Sequence, residues 1–198
     1  MGILGSSYSF SSFWARVPDS VEDREKWVLD RLQRYAFKDD VKGISKRFGW
    51  VTAFEPYASQ FNMDLVMMGE FALFSMRIDE KKVPKALIKK YLAIEEAKYM
   101  EEKGIKRVPR AARKRLKEKV EVTLMKRTLP VPCIYDVAWD LDAGEVYFFH
   151  ISSWVIGEFQ EFFKRTFDLM PVPVVPYTLA CRAFGREAVR VLDAELLA

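Results

Sequence analysis

The chain has 198 residues, of which 50% are hydrophobic and 14% are aromatic. This composition excludes an intrinsically disordered protein, and no run of about 18 apolar residues is available to span a membrane. Cys133 and Cys181 form no CxxC pair, so we expect reduced, buried thiols in a cytosolic protein. The formal net charge of +4 conceals an uneven distribution of charge along the chain.

The first part of the chain predicts strands and one helix. Residues 8–16 alternate as in a strand, with Tyr8, Phe10 and Trp14 on the face that we expect to be mostly buried. Residues 18–20 (Pro-Asp-Ser) indicate the start of a helix that continues to about residue 36. A further strand is predicted at residues 48–54. Residues 64–68 and 70–78 read either as two strands around Gly69 or as one long bulged strand.

Residues 80–128 are strongly basic. They hold 17 of the 32 Lys and Arg residues but only 7 of the 28 Asp and Glu residues, so their formal charge is +10 and the rest carries −6. Pro84 fits the first turn of a helix, Gly104 fits its C-terminal cap, and Pro109 begins a second helix. Because the connection is short, we predict an antiparallel helical hairpin.

The last part of the chain returns to strands. Residues 133–141 and 145–151 read as two strands around a turn at residues 140–144. A helix is predicted from Ser152 or Ser153 to about residue 167, and its apolar face is formed by Val155, Phe159, Phe162, Phe163 and Phe167. Beyond it we predict an extended, proline-interrupted segment at residues 171–178 and a short helix at residues 186–197.

These elements predict an α+β fold, in which an antiparallel sheet carries helices packed on one face and the basic helical hairpin is an insert. We predict a discontinuous central domain, made of residues 1–79 and 130–198. The hairpin, residues 80–129, would form the second domain.

The second hairpin helix carries the clearest candidate binding surface. Arg110, Arg113, Lys114 and Lys117 are spaced i, i+3, i+4 and i+7, so they share one side of the helix. Like charges at this spacing repel, and we expect little acidic compensation, so a polyanion would relieve the repulsion. No aromatic residue lies between residues 103 and 119 to stack on bases, which predicts phosphate contacts with weak sequence selectivity and strong salt dependence.

The hairpin therefore predicts contacts to the phosphates of DNA or RNA, with duplex DNA as the main partner. A solvated arm without a ligand and an arm that binds an acidic protein remain alternatives. The residues predicted to contact phosphates are Lys81, Lys82, Lys85, Lys89, Lys106, Arg107, Arg110, Arg113, Lys114 and Lys117.

The acidic part of the chain offers a rival site. Asp136, Asp140 and Asp142 are close in sequence and could hold Mg²⁺ for nuclease chemistry. The interpretation that we favour is that Asp140 and Asp142 shape the turn before Gly144. The single histidine, His150, has no second histidine and no nucleophile motif near it, so we expect a structural role.

Several short motifs occur in the order typical of one family. They are FGWV at residues 48–51, EKKVP at residues 80–84, LKEKV at residues 116–120 and PVVP at residues 173–176. On these motifs the chain resembles the recombination-associated protein RdgC family of bacterial DNA-binding proteins. The resemblance implies a homodimer closed into a ring around duplex DNA, and a role in limiting the access of the RecA recombinase to DNA.

The resemblance also implies where two subunits meet. The helical hairpin corresponds to the family's tip region, and Leu129 stands where the family carries an aromatic tip-contact residue, so we expect an altered tip contact. Typical members continue beyond the point that corresponds to Ala198, so a further domain of those members is expected to be missing here. The family is sometimes labelled exonuclease, but no catalytic motif can be carried over to this chain.

We therefore predict a non-enzymatic, sequence-independent DNA-binding protein of recombination or replication, cytoplasmic and nucleoid-associated. No cofactor, metal ligand, catalytic residue or membrane partner is expected. A metal-dependent exonuclease and a protein-interaction module with a basic arm remain the alternatives.

Overall fold

The computed structural model describes residue 3 and residues 9–39, 45–57 and 60–185. Within these residues the chain forms six helices and a seven-stranded antiparallel sheet, so the predicted α+β class is confirmed. In chain order the elements are β1 (Ser11–Trp14), α1 (Arg24–Arg34), β2 (Lys46–Thr52), α2 (Met63–Val66), β3 (Met67–Met68), β4 (Phe71–Glu80), α3 (Lys85–Lys103), α4 (Arg110–Arg127), β5 (Val131–Asp140), β6 (Glu145–Phe148), α5 (Ser153–Phe167), β7 (Val172–Pro173) and α6 (Pro176–Phe184).

The chain divides into two compact units. One contains Met1–Lys38, Phe48–Arg77 and Ile134–Ala198, and the other contains Asp39–Arg47 and Ile78–Cys133. The strand order of the sheet is β2-β4-β5-β6-β1-β7, and β3 pairs with β4. The helices α3 and α4 belong to the second unit, which we call the hairpin unit.

The core of the first unit is an aromatic layer between the sheet and α5. Phe148 of β6 stacks on Phe159 at 4.2 Å between ring centroids, and Trp50 of β2 lies 4.7 Å from Phe162. The phenylalanines of α5 recur at helical spacing, so one helix face covers several strands at once. This agrees with the apolar face predicted for the helix.

Phe37 and Gly49 make a close backbone contact at the edge strand β2. The Phe37 N–H donates to the carbonyl of Trp50 at 2.9 Å, and Ala36 forms a parallel bridge with Trp50. A Cβ atom at residue 49 would collide with the Phe37 backbone, so only glycine fits there. In the FGWV motif, the glycine thus allows the Phe37 backbone to come close, and the tryptophan that follows is fully buried.

The N-terminal elements differ from the prediction in two details. The buried side chain of β1 is Phe13, whereas Phe10 is 44% exposed and Trp14 is half-buried, so the expected face was wrong for these two residues. Tyr8, the third residue of that face, lies outside the described residues. Helix α1 begins after Asp23, whose side chain accepts a hydrogen bond from the Lys26 N–H at 2.9 Å, and not near residues 18–20. An N-cap acceptor outweighs the earlier Pro-Asp-Ser signal because it satisfies a free backbone donor of the helix.

Two other predicted segments are partly helical. Residues 64–66 of the predicted strand belong to α2, because Asn62 caps this helix by accepting from the Leu65 N–H at 2.8 Å. Of the segment predicted as extended, only β7 pairs, at the sheet edge, and α6 begins at Pro176. The helix predicted at residues 186–197 lies outside the described residues.

Both cysteines are free thiols and are half-buried, where we had expected burial. None of the described helices is long and apolar enough to cross a membrane.

Candidate nucleic-acid interface

The helices α3 and α4 pack against each other in the hairpin unit. Pro84 and Pro109 occupy their N-caps, and Gly104 ends α3 in the left-handed conformation at φ 60°. The Arg113 Nε donates to the Glu96 carboxylate at 2.6 Å, and the Lys119 ammonium lies 3.9 Å from Glu95. These pairs join opposite positions of the two helices, as an antiparallel arrangement requires.

Little of the hairpin is buried. No residue of α3 is buried, and α4 buries only Val120 and Leu124. The hairpin therefore presents nearly all of its charged side chains to solvent, where a polyanion can reach them.

The four cations predicted on one side of α4 form a row and have different surroundings. The row consists of Arg110, Arg113, Lys114 and Lys117. Arg113 is bound to Glu96, and the Lys117 ammonium lies 3.6 Å from the Glu121 carboxylate. Among the described residues, no carboxylate lies within salt-bridge distance of Arg110 or Lys114, although both are exposed. The expectation of little acidic compensation was therefore wrong for two of the four residues.

The row nevertheless lines one continuous surface. It borders an open, shallow groove of about 860 Å³ in the hairpin unit. The lining residues are Leu92, Arg110, Ala111, Arg113, Lys114 and Lys117.

The other predicted contacts fall into two groups. Lys106 and Arg107 are exposed in the loop beside Arg110, so they extend the row. Lys81 and Lys82 lie just before α3, and Lys85 and Lys89 lie in its first two turns. At 1.5 Å per residue, α3 places Lys85 about 27 Å and Lys89 about 21 Å from its end at Lys103, where the loop begins. One phosphate cluster therefore cannot include all ten residues.

The cations at the start of α3 are only partly available. The Lys82 ammonium donates to the Glu80 carboxylate at 2.8 Å, and this hydrogen bond raises the pKa of Lys82. Lys81 is half-buried, and its backbone N–H donates to the Ser45 carbonyl at 2.9 Å. Lys85 and Lys89 are exposed, so they are the stronger candidates at this end.

The three aspartates of the rival site are engaged separately. Asp136 accepts from the Ser75 hydroxyl at 2.6 Å and from the Ile3 N–H at 2.8 Å. Asp140 accepts from the backbone N–H of Asp142 and of Ala143, at 3.0 and 2.7 Å, which shapes the turn as we favoured. These carboxylates do not fit a shared Mg²⁺ site, and no group of three metal-binding side chains occurs among the described residues.

Asp142 and His150 also have structural surroundings. The Asp142 carboxylate lies 3.4 Å from the Arg24 guanidinium. His150 packs its ring against Tyr135, at 4.8 Å between centroids, and its carbonyl accepts from the Ser11 hydroxyl at 2.8 Å. These contacts agree with the structural role expected for the histidine.

The hydrogen bonds of Asp140 in the turn lead to a prediction about the stability of the protein. We expect Asp140→Ala to lower the free energy of unfolding by about 1 kcal/mol, because two backbone donors lose their acceptor. Asp140→Asn keeps an acceptor oxygen and should stay within about 0.5 kcal/mol of wild type in urea denaturation. A stable Asp140→Asn variant that abolished Mg²⁺-dependent DNA cleavage would instead support the nuclease.

Leu129, the residue at the expected tip contact, follows α4 and is 81% exposed. Tyr91, Lys119 and Arg127 are not among the residues predicted to contact DNA, and they lie together in the hairpin unit. The antiparallel register would have indicated them, because Tyr91 lies 12 residues before the end of α3 and Thr123 lies 13 residues after the start of α4. Lys119 and Arg127 lie about one turn to either side of Thr123.

The fold and the charge define an α+β sheet protein that carries a basic helical hairpin. The family model described as "Putative exonuclease, RdgC" matches residues 15–183. The chain therefore belongs to the RdgC family, and this membership supports a role related to recombination. None of the curated proteins searched matches the chain.

Proposed function

We propose that this protein binds double-stranded DNA without sequence preference, through phosphate contacts from the hairpin. The observation that carries the proposal is the concentration of charge, with +10 on residues 80–128 of an otherwise acidic chain. A duplex presents about one negative charge per 1.7 Å of its axis, so a basic surface of this kind matches it.

Arg110 and Lys114 are the principal contacts in this proposal. They lie one turn apart on an exposed helix face, and no carboxylate of the described residues neutralises them. Bringing phosphates to this face releases condensed counterions and also reduces the repulsion between the two side chains. Lys106 and Arg107 lie next to them in the loop and would add to the same cluster.

The chemistry of the row supports sequence independence. The described residues of its lining are cations, Leu92 and Ala111, and they include no aromatic ring and no amide side chain to read base edges. Phosphate contacts alone bind every sequence equally.

The family resemblance extends the proposal beyond the hairpin. We include a homodimer with Leu129 at the tip contact, a nucleoid-associated location and a role in limiting RecA access to DNA. We also include the absence of enzymatic activity, since the candidate carboxylates already serve as hydrogen-bond acceptors.

A salt titration with a fluorescent duplex of arbitrary sequence, in the presence of Mg²⁺, tests the proposal. We expect micromolar or tighter binding, the same affinity for unrelated sequences, a steep dependence on salt, and DNA recovered intact. Loss of DNA ends would favour an exonuclease. No binding at low salt would favour an acidic protein partner or a hairpin that is only solvated.

A further inference from the structure

A second groove of the hairpin unit differs from the basic row. It has a volume of about 340 Å³ and lies between α3 and the C-terminal half of α4. Val120 and Leu124 are its buried residues, while Tyr91 and Ile94 are 38% and 40% exposed at its wall. The groove therefore offers an aromatic ring and an apolar base to a ligand from solvent.

The rim of this groove is mainly cationic. Lys98, Lys119 and Arg127 line it. Among the described residues Glu95 is the only carboxylate of the lining, and it lies 3.5 Å from the Lys98 ammonium and 3.9 Å from that of Lys119. A fourth cation, Lys90, lies 6.0 Å from the centre of the Tyr91 ring. An apolar and aromatic slot with a positive rim matches a flat base attached to an anionic backbone.

We propose that this groove binds an unstacked base of single-stranded DNA, with Tyr91 as the stacking platform. The proposal rests on the proposed function and adds a second kind of DNA site to it. The size is suitable, because small-ligand pockets begin at about 300 Å³. A base has a face that can stack on an aromatic ring whatever its identity, so this contact also tolerates any sequence.

Duplex and single strand would use the two surfaces differently. In a duplex the bases stack on one another and cannot reach Tyr91, whereas the phosphates remain accessible to Arg110 and Lys114. In a single strand a base can enter the groove while Lys119 and Arg127 contact the neighbouring phosphates. The groove thus predicts an interaction specific to single strands, DNA ends or gaps.

The test measures the affinity of Tyr91→Leu for three probes: oligothymidylate, an abasic strand of the same length and a duplex. Leucine keeps an apolar side chain but removes the ring, so binding of oligothymidylate should weaken by roughly 5- to 150-fold. Affinity for the duplex and for the abasic strand should stay unchanged. Tyr91→Phe keeps the ring and should bind all three probes as the wild type does.

The controls separate the groove from the general DNA affinity. Tyr57→Leu removes an exposed tyrosine of the first unit and should leave all three affinities unchanged. If Tyr91→Leu binds oligothymidylate like wild type, or the abasic strand binds wild type as tightly, the base site is wrong while duplex binding stands. An equal loss for every probe would assign Tyr91 to hairpin stability and overturn the inference, and failure of the wild type to bind any probe would overturn both proposals.

Discussion

Replacing Arg110 and Lys114 together with alanine is expected to lower duplex affinity roughly 60-fold in about 0.1 M salt, because each lost phosphate contact costs about eightfold. The slope of the logarithm of affinity against the logarithm of salt concentration should become shallower by about 1.8. The loss should be the same for unrelated duplex sequences. Fluorescence anisotropy at several salt concentrations measures both quantities.

The matched control removes the same charge elsewhere. Lys26 and Arg34 are exposed on α1 of the first unit, so their double alanine variant has the same net charge as the test variant. If both variants weaken binding equally, the effect follows net charge, and the hairpin is not the site. An unchanged affinity and slope in the Arg110 and Lys114 variant would remove this helix face from the interface.

The two paired cations of the same row provide a second comparison with the Arg110 and Lys114 variant. Arg113 and Lys117 already face Glu96 and Glu121, so their double alanine variant should lose less affinity than the first variant. It also removes the link between α3 and α4 at Glu96, so its helix content must be checked by circular dichroism. An equal or larger loss with intact helices would show that DNA displaces the carboxylates.

Phe167→Ala is expected to lower the free energy of unfolding by about 3–5 kcal/mol, because it removes a large ring from the centre of the core. Phe167 is buried, and its ring lies 4.6 Å from that of Phe163 and 5.0 Å from that of Trp139. It also contacts Trp27 of α1, so its loss removes one of the contacts between α1 and α5. Chemical denaturation measures the change.

Met170→Ala is the matched control for this core substitution. Met170 lies three residues further along the chain and is 54% exposed, so its replacement should change stability by no more than about 0.5 kcal/mol. A change below about 1 kcal/mol for Phe167→Ala would mean that the core collapses around the missing ring, and the role given to α5 would be wrong.

Elements with strong local signals were predicted closely. The ends of the hairpin helices are marked by Pro84, Gly104 and Pro109. Proline restricts the backbone angle φ and glycine allows a wider range of it, and each effect is confined to the residue itself. The turn after Asp140 has a similar local cause, since the aspartate bonds the backbone two and three residues ahead. The phenylalanines of α5 were also clear, because helical periodicity reports a buried face directly.

Competing local signals gave the errors. Asp23 and Asn62 each accept a hydrogen bond from the N–H three residues ahead, and these caps decided where α1 and α2 begin. In β1, aromatic residues occur on both faces, so alternation alone could not identify the buried one. Only the packing of Phe13 on Phe159, at 5.5 Å, made that choice.

The amino-acid sequence alone determined the charge asymmetry, the helical hairpin and the α+β class, because these are properties of residue type and local spacing. Only the tertiary structure decided which cations of the row have no carboxylate partner. Glu96 of α3 contacts Arg113 of α4 only when the two helices pack in one particular register. The same register brings Tyr91 beside Lys119 and Arg127, about 30 residues away in sequence. Long-range pairing of this kind leaves no local pattern, since its free energy comes from contacts that exist only after folding.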